Sequence, residues 1–151
     1  MSLFTQGEKP IGLANDHAGY EIKKYIAKLF DEQGIKYTDF GTFGTESVDY
    51  PDFAHKLGNA IDNGECDCGI AICGTGNGIN MTLNRHKKVR SALCWNTEVA
   101  RLVRAHNDAN VLTMPGRFIT QKEAYDMLQV FFNTPFEGGR HQRRIDKISC
   151  G

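Results

Sequence analysis

Short apolar runs and longer amphipathic stretches take turns along this chain. Runs of strand length fall at residues 10–15, 35–40, 69–73, 90–94 and 110–114, and the stretches between them repeat apolar side chains at three-and-four spacing. Such alternation is the mark of β-α units around a parallel sheet. The first helix is predicted over 18–33, with Ile22, Tyr25, Ile26, Leu29 and Phe30 on one face and Gly34 as its stop. The second, over 51–63, opens on Pro51, a favoured first helical position, and ends before Gly64. Further helices are predicted over 77–85, 97–105 and 120–133, the last with Thr120-Gln121-Lys122-Glu123 as a capping box. No repeat, low-complexity tract or linker interrupts the series. Residues 1–151 therefore read as a single domain, with 1–9 flexible and 135–151 a terminal arm hinged at Gly138-Gly139.

Composition narrows the partners. With 151 residues, 40% hydrophobic, the chain can bury one core, and a formal net charge of zero argues against nucleic acid or a membrane surface as main partner. Arg140, His141, Arg143, Arg144 and Lys147 nevertheless crowd the arm. Taken alone, that cluster reads as a solvated or weakly nucleic-acid-binding tail. No apolar run has transmembrane length and the start lacks a secretory hydrophobic segment, so a cytoplasmic location is expected. Five cysteines without a secretion signal read as reduced thiols. Cys66 and Cys68 form a lone Cys-x-Cys without nearby histidine pairs, so no metal site is predicted, and Cys94 and Cys150 read as packing and tail.

The stretch Ile70-Ala71-Ile72-Cys73-Gly74-Thr75-Gly76-Asn77-Gly78 carries the strongest chemical signal. A buried strand ends in a thiol and opens into alternate glycines, which let backbone N–H groups approach an anion or oxyanion at the start of a helix. The same field favours the thiolate of a cysteine at the loop mouth. In an open α/β sheet, ligands sit beyond the carboxyl ends of the strands, so Asn15-Asp16-His17, Gly41-Thr42 with Asp49-Tyr50, the Cys73 loop and His106-Asn107-Asp108 are expected to converge on one sheet edge. Each also has a plain structural reading. Cys73 can simply close a strand, Asp16 can cap a helix, His106 can face a helix dipole, and Asn107 and Asp108 can make a turn.

Asn15-Asp16-His17-Ala18-Gly19, Ser47-Val48-Asp49-Tyr50-Pro51, residues 72–78, His106-Asn107-Asp108-Ala109-Asn110 and Glu137-Gly138-Gly139-Arg140-His141-Gln142-Arg143-Arg144, in that order, resemble the ribose-5-phosphate isomerase B family. That family also holds galactose-6-phosphate and allose-6-phosphate isomerases. The likeness covers about residues 10–148. It implies a Rossmann-like three-layer α/β/α sandwich with a five-stranded parallel sheet and a C-terminal arm, in a homodimer that sometimes pairs into a tetramer, its arm packed on the partner subunit.

The resemblance further implies cofactor-free and metal-free interconversion of ribose 5-phosphate and ribulose 5-phosphate, with a six-carbon sugar phosphate as the alternative substrate. Cys73 would take the C2 proton, Thr75 would assist at the neighbouring oxygen, and the backbone of Gly74, Gly76, Asn77 and Gly78 would hold the enediolate. His106 would open the sugar ring while Asp16 and Asn107 bind hydroxyls. Asp49 and Tyr50 would flank the reacting end. Arg140 and Arg144 would bind phosphate from the partner subunit's arm, with Arg117 and His17 as further donors. Ile79 stands where another branch of the family has a glutamate base, which assigns this chain to the cysteine-using branch. A non-catalytic phosphosugar-binding module is the remaining alternative, and Cys73 with His106 speaks against it.

Overall fold

A strand placed between two others can be buried at every position, because both of its faces are covered and both of its edges are bonded. The computed structural model, which describes residues 2–149, shows this for β1 (Ile11–Asn15), β3 (Gly69–Cys73) and β5 (Val111–Pro115), buried at all five positions each. The edge strands β2 (Tyr37–Asp39) and β4 (Ser91–Leu93) are three residues each, shorter than the runs at 35–40 and 90–94 had suggested. Short edges offer little backbone for stray pairing. The five strands are all parallel, in the order β2-β1-β3-β5-β4.

That order dictates the layers. Steps from β1 to β2 and from β4 to β5 run one way across the sheet, while those from β2 to β3 and from β3 to β4 run the other. Right-handed crossovers therefore put α1 (Tyr20–Gln33) and α4 (Thr97–Ala105) on one face and α2 (Tyr50–Asp62) and α3 (Asn77–Leu83) on the opposite face. α5 (Gln121–Asn133) joins α1 and α4 over a core of Ile26, Phe30, Leu112, Met114 and Leu128, whereas Leu57, Ala71, Ile79 and Leu83 fill the other face. Thr120 caps α5 in the anticipated box, its hydroxyl accepting from the Glu123 N–H while Glu123 accepts from the Thr120 N–H. The three-layer α/β/α architecture is as expected.

Two terminal expectations meet the structure differently. Within the stretch expected to be flexible, Leu3, Phe4 and Gln6 are seated on the fold. Leu3 and Phe4 are buried, Phe4 stacks on Phe132 at 4.7 Å, and Asn133 Nδ2 donates to the Leu3 carbonyl at 2.9 Å. Apolar residues there fill the gap between α1 and α5, and the Gln6 amide clasps the Lys36 backbone at its N–H and carbonyl. At the other end, Gly138 and Gly139, both at positive φ, turn the chain into α6 (Arg140–Asp146). The arm touches its own chain, because the Glu137 N–H bonds the Ala105 carbonyl at 3.0 Å and His141 is buried. Cys150 lies outside the described residues. Among the described residues, no helix is long and apolar enough to cross a membrane.

Candidate active site

After β1 the chain turns toward one side of the sheet and after β3 toward the other, so a crevice opens between their carboxyl ends. The residues there are held mainly through their backbones. Asn15 donates to Gly41 and accepts from Thr42, and the Asp16 N–H bonds the Ile72 carbonyl at 3.2 Å. Asp16 Oδ1 accepts from the Ala18 and Gly19 N–H groups, so the capping reading holds, and the carboxylate is fixed at the crevice as a result. Gly19 leaves no room for a side chain against the Ile72 carbonyl. His17 Nδ1 accepts from the Val48 N–H at 3.2 Å, which leaves the ring proton on Nε2 as a donor.

Across the crevice, β3 ends in Cys73, 4% exposed. Its carbonyl accepts from Gly116 and that of Gly74 from Arg117, which brings the Arg117 guanidinium so close that a Cβ at Gly74 would sit 3.1 Å from Nη1. Gly76, at φ 80°, caps α3, and the Thr75 hydroxyl accepts from the Asn77 N–H at 3.2 Å. A Cβ at Gly78 would collide with the Tyr50 ring. Tyr50 opens α2, and Asp49 before it makes no capping bond with its carboxylate. Cys73, Gly74, Thr75, Gly76, Asn77, Gly78, Asp16, His17, Asp49, Tyr50 and Arg117 thus belong to this carboxyl edge. Ile79 is fully buried on the sheet and cannot act as a base.

One residue here escaped the sequence reading. Lys23, 3% exposed, donates to both Asp39 carboxylate oxygens and to the Thr42 carbonyl, each at 2.8 Å. It anchors the loop that follows β2. Its one signal is its place among the apolar Ile22, Ile26 and Phe30, where the charge reads as ordinary surface.

The expected convergence on one edge fails for His106 and Asn107. They follow α4, which returns to the start of β5, and Asn110 bonds Gly69 at the beginning of β3. Four rises of a strand, about 13 Å, separate that end from Cys73. The reason is directional, since a segment preceding a strand lies at its amino end. Arg140 and Arg144, exposed on α6, belong to the same amino edge. There the His106 and His141 rings stack at 4.3 Å, and Glu137 Oε1 lies 3.3 Å from His141 Nε2 and 3.8 Å from His106 Nε2. Asp108 takes positive φ and pairs with Arg90 and Arg104, confirming the turn reading. Beside it a cavity of about 530 Å³ is lined by Arg85, Arg90, Asn107 and Ile148.

The remaining described thiols are chemically quiet. Burial pushes Cys94 and, with the Asp67 charge, Cys68 up to about 12, and burial also raises Cys66. They stay protonated near neutral pH.

Comparison with known proteins gives the family. A family model described as Ribose/Galactose Isomerase matches residues 11–148. The putative sugar phosphate isomerase YwlF of Bacillus subtilis is 44% identical over 140 residues, 92% of this chain and 94% of that protein. A ribose 5-phosphate isomerase from Thermotoga maritima superposes with a TM-score of 0.92 at 44% identity, covering 96% of this chain and 100% of its own. Ribose-5-phosphate isomerase B from Mycoplasma genitalium, solved with bound ribulose-5-phosphate, gives 0.89 at 40% identity over 95% of each chain. With a family model spanning nearly all of the fold and relatives this similar over almost their full length, the chain belongs to the ribose/galactose isomerase family.

Proposed function

We infer that this chain interconverts ribose 5-phosphate and ribulose 5-phosphate through an enediolate, without a cofactor. The observation that carries the reading is the buried thiol at the end of the central strand, opening into a glycine loop pressed against Arg117 and Tyr50, in a chain so similar to a protein solved with ribulose-5-phosphate. The Cys73 thiolate takes the C2 proton, the electron pair becomes the C1–C2 double bond, and negative charge moves to the C1 oxygen. The loop amides and Thr75 stabilise that oxygen, where a single preorganised donor is worth about 3–4 kcal/mol. The thiol then returns its proton to C1, and the C2 hydroxyl proton passes to the C1 oxygen beside Thr75, which leaves the C2 carbonyl and the C1 hydroxyl of the ketose.

His106 opens the ring by passing a proton to the ring oxygen, a transfer within an imidazole's chemistry. Within one chain it lies at the wrong edge, so it is supplied with Asn107, Arg140 and Arg144 by a second copy. Phe43, Trp95 and Phe118 follow β2, β4 and β5 at the carboxyl edge and are 67%, 56% and 71% exposed, an apolar rim suited to burial in a dimer. Asp16 and Asn107 hold hydroxyls, and Asp49 and Tyr50 close the reacting end. The arginine forks, with Arg117 and His17, bind the phosphate.

The test is isomerisation of ribose 5-phosphate, allose 6-phosphate and galactose 6-phosphate by wild type and Cys73→Ala after chelation. Turnover on the pentose that falls about 10²–10⁴-fold in the variant is the expected result. A hexose preference would assign the six-carbon activity, and binding without turnover would leave a binding module.

A further inference from the structure

The amino edge holds a polar cluster whose geometry hydrogen bonding does not explain. Ligand atoms of His106, Glu137 and His141 all lie within 4.8 Å of one another. His141 is 6% exposed, and its Nε2 is buried without a hydrogen bond. Glu137 Oε1 is only 3.3 Å away, yet the two make no hydrogen bond. A buried ring nitrogen left unpaired is costly. His86, at the same edge, shows the ordinary solution, with Nε2 against His55 at 2.8 Å and Nδ1 against Asp62 at 3.1 Å.

We propose that His106, Glu137 and His141 form a site for a divalent transition ion of the zinc class, and that the ion reversibly inhibits the enzyme by occupying His106. The inhibitory half rests on the isomerase reading of His106; the binding half does not. A tetrahedral zinc with bonds of about 2.0–2.1 Å holds its donors about 3.3 Å apart. The Glu137–His141 separation already equals this, and His106 stands 3.8 Å from the same carboxylate oxygen. An ion sits beside the line joining two donors rather than on it, so a pair that fails as a hydrogen bond can still serve as two ligands. The stacked rings turn both Nε2 atoms to Glu137, and the Glu137 N–H bond to Ala105 ties the arm to the residue before His106. His106 and Glu137, 39% and 54% exposed, give the ion its entry. Two imidazoles and one carboxylate favour zinc, nickel or copper over magnesium or calcium, and three ligands leave a position open to water or a sugar oxygen.

Chelator-stripped full-length protein is titrated calorimetrically with Zn²⁺, and with Co²⁺ by visible absorption, as wild type, His141→Gln and Glu137→Gln. One ion per chain, no thiolate-to-cobalt band, no heat from Mg²⁺, and at least about tenfold weaker binding in each variant are expected. Ribose 5-phosphate turnover falls with zinc occupancy in wild type, returns on chelation, and loses its zinc sensitivity by the same factor in the variants. Glu137→Gln, at a half-exposed position, keeps the test valid should His141→Gln fail to fold. Undiminished affinity in the folded variants, or a thiolate band, overturns the site. Zinc binding without inhibition overturns the inhibitory half. Binding as expected in a protein inert toward sugar phosphates in metal-free buffer supports the site and defeats the isomerase reading instead.

Discussion

The two edges of the sheet divide the chemistry between them. The carboxyl edge carries the thiol, the glycine loop and a carboxylate, held by main-chain bonds such as Asp16 N–H to Ile72 and Gly116 N–H to Cys73. The amino edge carries His106, Asn107 and the arm arginines, side chains of greater reach on a helix end and a short terminal helix. The first can stabilise an oxyanion and abstract a proton, while the second can open a ring and grip a phosphate, yet one chain cannot apply both to one small sugar. On the function we propose, each chain would supply two different half-sites, and a two-fold dimer that seats one edge against the other would make two complete ones.

Mixing experiments break or establish this most sharply. Cys73→Ala and His106→Gln should each lose about 10²–10⁴-fold in turnover. Unfolded together and refolded at equal amounts, they should recover about a quarter of wild-type activity, since half the dimers carry one intact site in two. Mixtures as inactive as their components would mean that the edges work within one chain.

Next in size, Arg144→Ala removes a charge-assisted contact of about 1.5–3 kcal/mol, so KM for the phosphosugar should rise about 10–100-fold while kcat changes less. Steady-state kinetics decides it, and an unchanged KM would remove Arg144 from the phosphate site. At the carboxyl edge, Gly78→Ala drives a methyl into the Tyr50 ring. Overpacking of this kind costs about 1–3 kcal/mol, read as a lower denaturant midpoint together with reduced kcat. A variant as stable and active as wild type would show that Tyr50 is free to move aside.

The smallest effect sharpens the amino edge. Burial draws the Asp62 carboxyl up, but the Lys88 N–H and the His86 ring outweigh it and hold the carboxyl below its ordinary value. A carboxyl lowered by folding adds stability above its unfolded value, near pH 4, and that stability is lost as pH falls through the folded value. Asp62→Asn should thus cost about 1 kcal/mol at pH 7 and flatten the acid limb of the stability profile. Parallel acid limbs in the two proteins would remove Asp62 from this account.

Much of this was legible in the sequence for physical reasons. β1, β3 and β5 read as mainly apolar runs because both faces of a central parallel strand are covered, and α1 declared its extent through Ile22, Ile26 and Phe30 and its end through Gly34. The Cys73 loop was legible because alternate glycines follow an apolar run directly, and at Gly78 a Cβ would collide with the Tyr50 ring. Lys23 was not, since a single lysine on a helix does not announce a carboxylate, Asp39, 16 positions away. The seat of Leu3 and Phe4 between α1 and α5 was equally hidden, because it depends on residues more than a hundred positions apart.

By itself, then, the sequence determined the order of strands and helices, the parallel sheet and the thiol loop, all of which rest on periods and spacings within short windows. Tertiary structure alone decided which end of the sheet each polar group occupies. It set His106 before β5, at the end of the sheet opposite Cys73, and brought it against His141 and Glu137 on the arm. Direction is a property of the folded path: residues before and after a strand look alike in a list of motifs, but they stand at opposite edges once hydrogen bonding has aligned the strands.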